Sequence, residues 1–212
     1  DLKTPLATVA GLCEEFLDEF GPAVPAEARG LVEAARSRTM RMKGMIDELL
    51  AMSASAAQPI QRAHVSSRSL LDDVLDRIRL EIGERPIRLE VPDRMPDVYT
   101  HPGRFREVFY QLLSNAVKFM DKESGVIRVS AARLGDEHIF CVADTGPGIS
   151  EPDQRKIFAP FQRLLQHRER PGSGLGLYFV RRMIEQRGGR VWVESKLGEG
   201  SKFYVAIPVS GA

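Results

Sequence analysis

Asp144-Thr145-Gly146-Pro147-Gly148-Ile149 follows an apolar run, His138-Ile139-Phe140-Cys141-Val142-Ala143, which has the pattern of a buried strand. A carboxylate at a strand end can accept a hydrogen bond from an exocyclic amine, such as that of adenine. Two glycines one residue apart let backbone approach a flat ring and take φ > 0 without a Cβ clash. A solvated strand-to-turn junction would look the same.

Three further features could act with it. On a helix, Gln111, Asn115 and Lys118 share a face, opposite much of an apolar stripe. An amide oxygen such as that of Asn115 can ligate Mg²⁺, and a lysine three residues on can meet phosphate. A polar solvated helix face is the plainer account. Phe158-Ala159-Pro160-Phe161-Gln162-Arg163 sets an aromatic pair around a proline, then an arginine. The plainer account there is a loop anchored by two buried phenylalanines. Gly172-Ser173-Gly174-Leu175-Gly176-Leu177 opens a helix, where unpaired N–H groups and the positive dipole end suit phosphate. A tightly packed helix N-terminus would also explain those glycines. Between the last two features lie Arg163, His167, Arg168 and Arg170, a basic stretch suited to a lid over polyphosphate.

The surrounding chain must position these groups. It has 212 residues, enough for one large or two small domains, with ordinary apolar (43%) and charged (28%) content. A net charge of +1 argues against a general nucleic-acid binder. Cys13 and Cys141 sit in apolar patterns without metal-ligand spacing, as buried free thiols of a reducing cytosol do. No apolar run approaches the roughly 20 residues of a bilayer span, so no membrane contact is expected. The chain is helical in pattern from Asp1, which is not Met, so a piece of something longer is expected.

Leu2, Leu6, Val9, Cys13, Phe16 and Phe20 form one stripe down a first helix, with Pro5 a possible kink. Gly21-Pro22-Ala23-Val24-Pro25 turns the chain. A second helix, 26 to 53, carries Leu31, Ala35, Met42, Ile46 and Leu49, with Ala28 and Met45 at its edges. It would be about 40 Å long. Two helices alone cannot bury such faces, so pairing with a second copy as a four-helix bundle is expected. The alternative is a hairpin lying on its own globular domain. Ala54 to Pro59 reads as a linker, which places a boundary between domains 1–57 and 58–212. The second domain should hold strands near 60–65, 87–91, 125–134, 138–143, 190–195 and 201–207, and helices at 67–82, 103–119 and 175–187. A loop-rich stretch spans 144–174. Together these suggest an α+β chain whose mixed sheet is covered by helices on one face.

The four features, in this order and spacing, resemble the N, first glycine, F and second glycine boxes of the sensor histidine kinases. Gly188 to Ser195 and Gly198 to Phe203 are similar to the final hairpin of that family, so the resemblance covers nearly the whole chain. It implies the two-layer α/β ATP-binding sandwich shared with gyrase-type ATPases, with ATP and Mg²⁺ as cofactors. Residue by residue, it implies Asn115 on Mg²⁺, Lys118 on phosphate, and Asp144 on the adenine amine. Gly146, Gly148 and Ile149 would line the base beside Phe158, and Arg163 would approach the γ-phosphate. Gly172, Gly174 and Gly176 would hinge and cap the lid, and Ser173, Leu175 and Leu177 would join them in binding the nucleotide. Gln111 departs from the pattern: kinases of the family usually have Asn there, and gyrase-type ATPases a catalytic Glu. A Gln cannot take a proton from water, so hydrolysis by that route is disfavoured. Glu107, one turn earlier on the same side, could assist metal binding.

Asp1-Leu2-Lys3-Thr4-Pro5-Leu6 resembles the kinase H box, in which the phospho-accepting histidine comes immediately before Asp1 and so is not in this chain. The resemblance implies Asp1 as general base and Thr4 as the residue positioning a water for dephosphorylation. N-terminal capping by Asp1 and Thr4 is the plainer account. The expected whole is a homodimeric, cytoplasmic histidine kinase with an upstream sensor domain and a response-regulator receiver domain as partner. A pseudokinase scaffold remains open, as does an ATPase or serine/threonine kinase of the same fold.

Overall fold

A computed structural model describes residues 3–57, 62–122, 124–162 and 173–209, with side chains described throughout except at 41, 45 and 47–57. The chain divides into two compact units: Asp1–Gln58 with Pro171–Leu175, and Pro59–Arg170 with Gly176–Ala212.

The first unit is an αα-hairpin of α1 (Lys3–Phe20) and α2 (Ala26–Ala57). Pro5 falls in the first turn of α1, where its missing N–H removes no helical hydrogen bond. Gly21 closes that helix by donating to the Leu17 carbonyl, and a Cβ there would overlap the same oxygen. Ala10 and Thr39 are buried within the hairpin. Thr39 satisfies its hydroxyl on the Ala35 carbonyl at 2.9 Å. The single stripes expected from sequence do not all face inward. Val9, Leu12, Phe20, Leu31, Met40 and Met42 are 45–74% exposed, and Ala35 is exposed too. Each helix carries two apolar faces, and one hairpin covers only one of them. Helix α2 also runs through Ala54–Ala57, the first part of the expected linker. Alanine favours helix enough to carry the serines along.

The second unit holds β1 (Ala63–Ser66), α3 (Ser67–Ile82), β2 (Ile87–Glu90), β3 (Asp97–Thr100), α4 (Pro102–Phe119), β4 (Gly125–Leu134) and β5 (Glu137–Asp144). A four-residue helix α5 (Glu151–Gln154), then α6 (Gly176–Glu185), β6 (Arg190–Lys196) and β7 (Gly200–Pro208) follow. The main sheet has the order β2-β4-β5-β7-β6; β2 runs parallel to β4 and the other neighbours are antiparallel. β1 and β3 pair antiparallel in a separate ribbon.

Period-two alternation decides which sheet face is covered. Ile127 and Val129, Phe140 and Val142, and Phe203, Val205 and Ile207 point into the core. Arg128, Ser130 and Lys202 alternate outward. Against the inner face lie the stripes of α4 (Phe105, Val108, Phe109, Leu112, Leu113, Val117) and α6 (Phe179, Val180, Met183, Ile184). Helix α3 packs beside α4 through Leu71, Leu75 and Ile78, each at most 1% exposed; such side chains contribute about 1.5–3 kcal/mol apiece. Phe105, Phe109 and Phe140 meet edge to face, with centroids 5.1–5.7 Å apart. Caps fix where the helices start. The Ser66 hydroxyl accepts from Ser69 N, and His101 Nδ1 accepts from Arg104 N with Pro102 in the first turn.

Among the described residues, one buried side-chain nitrogen is unpaired. His138 is 7% exposed, and its Nδ1 has no hydrogen-bond partner. Burial first, and Arg133 second, hold its imidazole below the usual histidine range. The unfolded chain therefore binds the proton more readily than the native one. Stability is full above about pH 6.5 and falls as pH drops below it. Urea unfolding at pH 7.5 and pH 5.5 should show this loss, and the loss should shrink in His138→Leu. An identical pH dependence in the variant would remove His138 as its source.

Candidate active site

Helix α4 carries the polar groups. Its buried stripe turns Glu107, Gln111, Asn115 and Lys118 toward the half-exposed side. Gln111 Nε2 donates to Glu107 Oε1 at 2.7 Å. Lys118 Nζ stands 5.1 Å from the centre of the Phe119 ring.

Asp144 closes β5, in register with Ile127 on one side and Ser201 on the other. Its Oδ1 accepts from Gly146 N at 2.8 Å, which folds the chain back on itself. Thr145 ties the turn to β4: its N–H donates to the Val126 carbonyl and its hydroxyl accepts from Val126 N. Burial pushes the Asp144 carboxyl up; backbone N–H groups of Gly146 and Ser201, then Lys122, partly offset this.

The β6–β7 hairpin braces the loop. Pro147 O accepts from Gly198 N at 2.7 Å, and Ile149 N donates to Ser195 Oγ at 2.8 Å. Gln154 Nε2 donates to the carbonyls of both Ile149 and Ser195. Gly148 has φ +75, and a Cβ there would overlap the Lys196 carbonyl. Gly200 has φ +107, and a Cβ would overlap the Asp144 carbonyl. Gly148→Ala and Gly200→Ala should each destabilise by roughly 1–3 kcal/mol through strain and overlap. Chemical denaturation of the free chain measures this; a loss under about 0.5 kcal/mol would show that the loop tolerates side chains there.

Two glycine segments of the second unit meet α4. An added Cβ at Gly146 would stand 3.6 Å from the Phe119 carbonyl, one turn beyond Asn115. One at Gly176, the first residue of α6, would overlap Gln111 Oε1 and stand 3.9 Å from Asn115 Nδ2. Asp144, Gly146, Gln111, Asn115 and Gly176 are thus gathered along a short stretch of one helix. Leu177 and Ile149 are half-buried nearby in the chain. Ser173, Gly174 and Leu175 group with the hairpin unit; Leu175 N donates to Ser173 Oγ at 3.1 Å, and Gly174 takes φ +79.

Phe158 and Phe161 do not form the buried pair expected of an anchored loop. Phe158 is buried edge to face with Phe203 at 6.5 Å, whereas Phe161 is 53% exposed with φ +59. Thr4 is exposed in the first turn of α1. Asp1, Arg163, His167, Arg168, Arg170 and Gly172 lie outside the described residues.

Ser195, Gln154, Thr145 and Gly200 brace the site and were not singled out from sequence. The strands at 190–195 and 201–207 were expected from sequence, but not their bracing of the Asp144 turn. Among the described residues no three His, Cys, Asp or Glu side chains are grouped for a metal. Mg²⁺ does not need such a group: it takes one or two protein oxygens and fills its shell with phosphates and water. Beside Gly176, Gln111 presents its amide oxygen, a ligand of that kind, while Asn115 presents Nδ2.

Residues 100–211 match the family model "Histidine kinase-, DNA gyrase B-, and HSP90-like ATPase", and residues 1–58 match "His Kinase A (phospho-acceptor) domain". The chain belongs to the sensor histidine kinase family. Its relatives include cyanobacterial phytochrome A of Nostoc sp., 35% identical over all of this chain and 28% of that protein. Another is the adaptive-response sensory kinase SasA of Synechococcus sp. (strain JA-3-3Ab), 32% identical over 99% of this chain and 57% of that protein. The chain thus spans between about a quarter and three-fifths of these relatives. Full-length ShkA, solved in complex with AMPPNP, superposes with TM-score 0.70 at 28% identity, covering 100% of this chain and 44% of that one. The nucleotide-free catalytic domain of histidine kinase ThkA gives TM-score 0.61 at 27% identity, over 71% of this chain and 97% of that one. The kinase family's helical region followed by an α/β unit is the α+β arrangement expected from sequence. No helix among the described residues is long and apolar enough to cross a membrane.

Proposed function

We propose that this chain is the catalytic half of a cytoplasmic, homodimeric sensor histidine kinase. ATP binds the α/β unit, and its γ-phosphoryl passes to a histidine and then to an aspartate of a response-regulator receiver domain. The observation that supports this most is the convergence on α4: the Asp144 turn reaches its end at Phe119, and the start of α6 reaches Gln111 and Asn115.

In this reading residues 58–212 are the ATP-binding domain and 1–57 the phosphotransfer hairpin. Asp144 accepts from the adenine amine, with Gly146, Gly148 and Ile149 giving the ring room and Phe158 fixing the loop behind them. Asn115 holds Mg²⁺, and Lys118 meets phosphate. When bound, Mg²⁺ neutralises charge on the phosphates. Gly172, Ser173, Gly174, Leu175, Gly176 and Leu177 offer backbone N–H groups and the α6 dipole to the phosphates. Arg163 approaches the γ-phosphate. Catalysis is then mainly positioning and charge neutralisation.

The acceptor is the histidine that the family pattern places immediately before Asp1. Asp1 takes its proton, and Thr4 positions water when the regulator is dephosphorylated. Val9 and Leu12 of α1 and Leu31 and Met42 of α2 are the exposed apolar side chains that a second copy covers in a four-helix bundle. An upstream sensor domain supplies the input.

To test this, the chain extended by that histidine is incubated with Mg²⁺ and γ-labelled ATP. The expected product is an acid-labile, alkali-stable phosphoprotein that loses its label to a receiver domain. Labelling that survives acid, or none at all, would overturn the assignment.

A further inference from the structure

Four basic side chains of the second unit gather at the end of α4 remote from Asn115. Ala63 pairs with Thr100 across the β1–β3 ribbon, so Arg62, one residue before, and His101, one residue after, stand side by side at its end. His101 is the N-cap of α4, and its Nδ1 accepts from Arg104 N at 3.3 Å. Arg187 arrives from beyond the last residue of α6, where its N–H continues the turn on the Ile184 carbonyl. Its guanidinium donates to the hydroxyl of Thr100, which is 1% exposed. Arg62, His101, Arg104 and Arg187 are all half-buried.

The charges at this end are of one sign. Burial first, then Arg62 and Arg104, hold the Arg187 guanidinium below the usual arginine range. Burial first, then Arg104, with Arg187 and Arg106 adding to it, holds the His101 imidazole below the usual histidine range, against a backbone hydrogen bond that raises it. Arg106 is answered by Asp73 at 3.0 Å. Arg187 has no such carboxylate among the described residues; its hydrogen bond goes to a neutral hydroxyl.

A guanidinium carries five N–H donors in a rigid fork. Holding one half-buried beside like charges is costly, and an anion that joins them offsets that cost. The positive dipole end of α4, an 18-residue helix, points to the same place. A carboxylate offers one pair of oxygens to one fork. Several guanidiniums and a helix end around one point match a phosphoryl group better, because it brings three acceptor oxygens and close to two negative charges.

We propose that Arg62, Arg104 and Arg187, together with the start of α4, form an anion site that takes a small phosphate, either the free ion or a monoester. The site lies about 20 Å along α4 from Asn115, so it is separate from the nucleotide site and independent of the ATP assignment.

The test titrates the whole chain with sodium phosphate, with glycerol phosphate and with succinate, at ionic strength held constant by sodium chloride. The arginine Nε–Hε and His101 ring resonances are followed by NMR. Phosphate should shift Arg62, Arg104, Arg187 and His101 together, with half-saturation at about 1 mM or below. It should also raise the pH at which the His101 ring titrates, since the anion offsets the cations around it. Succinate should bind at least about tenfold more weakly. Arg187→Leu and Arg62→Gln should each weaken phosphate about tenfold or more. Arg187→Lys, which keeps the charge without the fork, should fall between. Lys118→Gln, at the nucleotide site, should leave phosphate affinity within about twofold. Tighter binding of glycerol phosphate would identify the ligand as an ester, and tighter binding of the free ion as inorganic phosphate; either supports the site.

Shifts that do not saturate, that sodium chloride alone reproduces, or that succinate matches would overturn the proposal. An equal loss in Lys118→Gln and Arg187→Leu would place the phosphate at the nucleotide site and overturn it as well. Should Arg187→Leu melt early, Arg62→Gln and Arg104→Gln decide.

Discussion

Asp144→Asn should bind nucleotide about 30- to 160-fold more weakly and yet melt at a higher temperature than the unmodified chain. The binding loss is that of one charge-assisted hydrogen bond, about 2–3 kcal/mol. Asparagine can still present Oδ1 to Gly146 N, so the turn should survive. The rise in stability has a separate cause. Burial is the largest influence on this carboxyl and raises its pKa despite the backbone N–H groups facing it. The native state therefore binds the proton more readily than the unfolded one. The contribution favouring the fold is present below the unfolded pKa near 3.9 and is lost as pH rises through the higher native value. Above that native value the free protein holds an unfavourable charge in place for its ligand. Relieving it should stabilise the free chain by roughly 0.5–2 kcal/mol, or about 2–4 °C per kcal/mol for a chain of this size. Thermal melts with and without nucleotide check both halves. A variant that melts lower and still binds would show Asp144 to be a structural carboxylate.

Asn115→Ala should lower phosphoryl transfer by about 10²- to 10³-fold, the usual loss when one preorganised electrostatic contact to the reacting group is removed. Fold stability should barely change. Asn115 is half-buried on α4, its neighbours Ala116 and Val117 carry the packing, and alanine is the better helix former by a few tenths of a kcal/mol. Nucleotide binding in EDTA should stay within about twofold, since the amide acts through the cation. Single-turnover labelling measures the first effect, and melting and metal-free binding the others. Full transfer in the variant would leave α4 as scaffold alone. Loss of metal-free binding would assign Asn115 to the nucleotide itself.

How far the sequence carried these conclusions depended on the range of the interactions involved. The polar face of α4 was legible because its apolar stripe is long and regular, so Asn115 and Gln111 had one place to go. The Asp144 turn was legible because a buried strand ends in an acid followed by spaced glycines. Strand β3 was missed: four residues between Pro96 and Pro102, with only Val98 and Thr100 buried, give too short a pattern. Helix α5, also four residues, failed for the same reason. The clamp of Ser195 and Gln154 on Ile149 spans more than 40 residues for Ser195, and no local pattern marks it. In the hairpin, Leu31 and Met42 fitted one stripe with Ile46, yet they face outward. Sequence spacing finds apolar faces but cannot assign each to its own chain or to a second copy.

The most direct test of a single nucleotide site on α4 is residue-resolved NMR of the chain during titration with Mg²⁺ and a non-hydrolysable ATP analogue. The saturating shifts should centre on the amides of Asn115, Gly146, Gly148 and Gly176, with the adenine protons showing contacts to the Asp144 turn. Shifts confined to the outer sheet face around Trp192 and Tyr204, or no saturable shifts at millimolar analogue, would contradict the account.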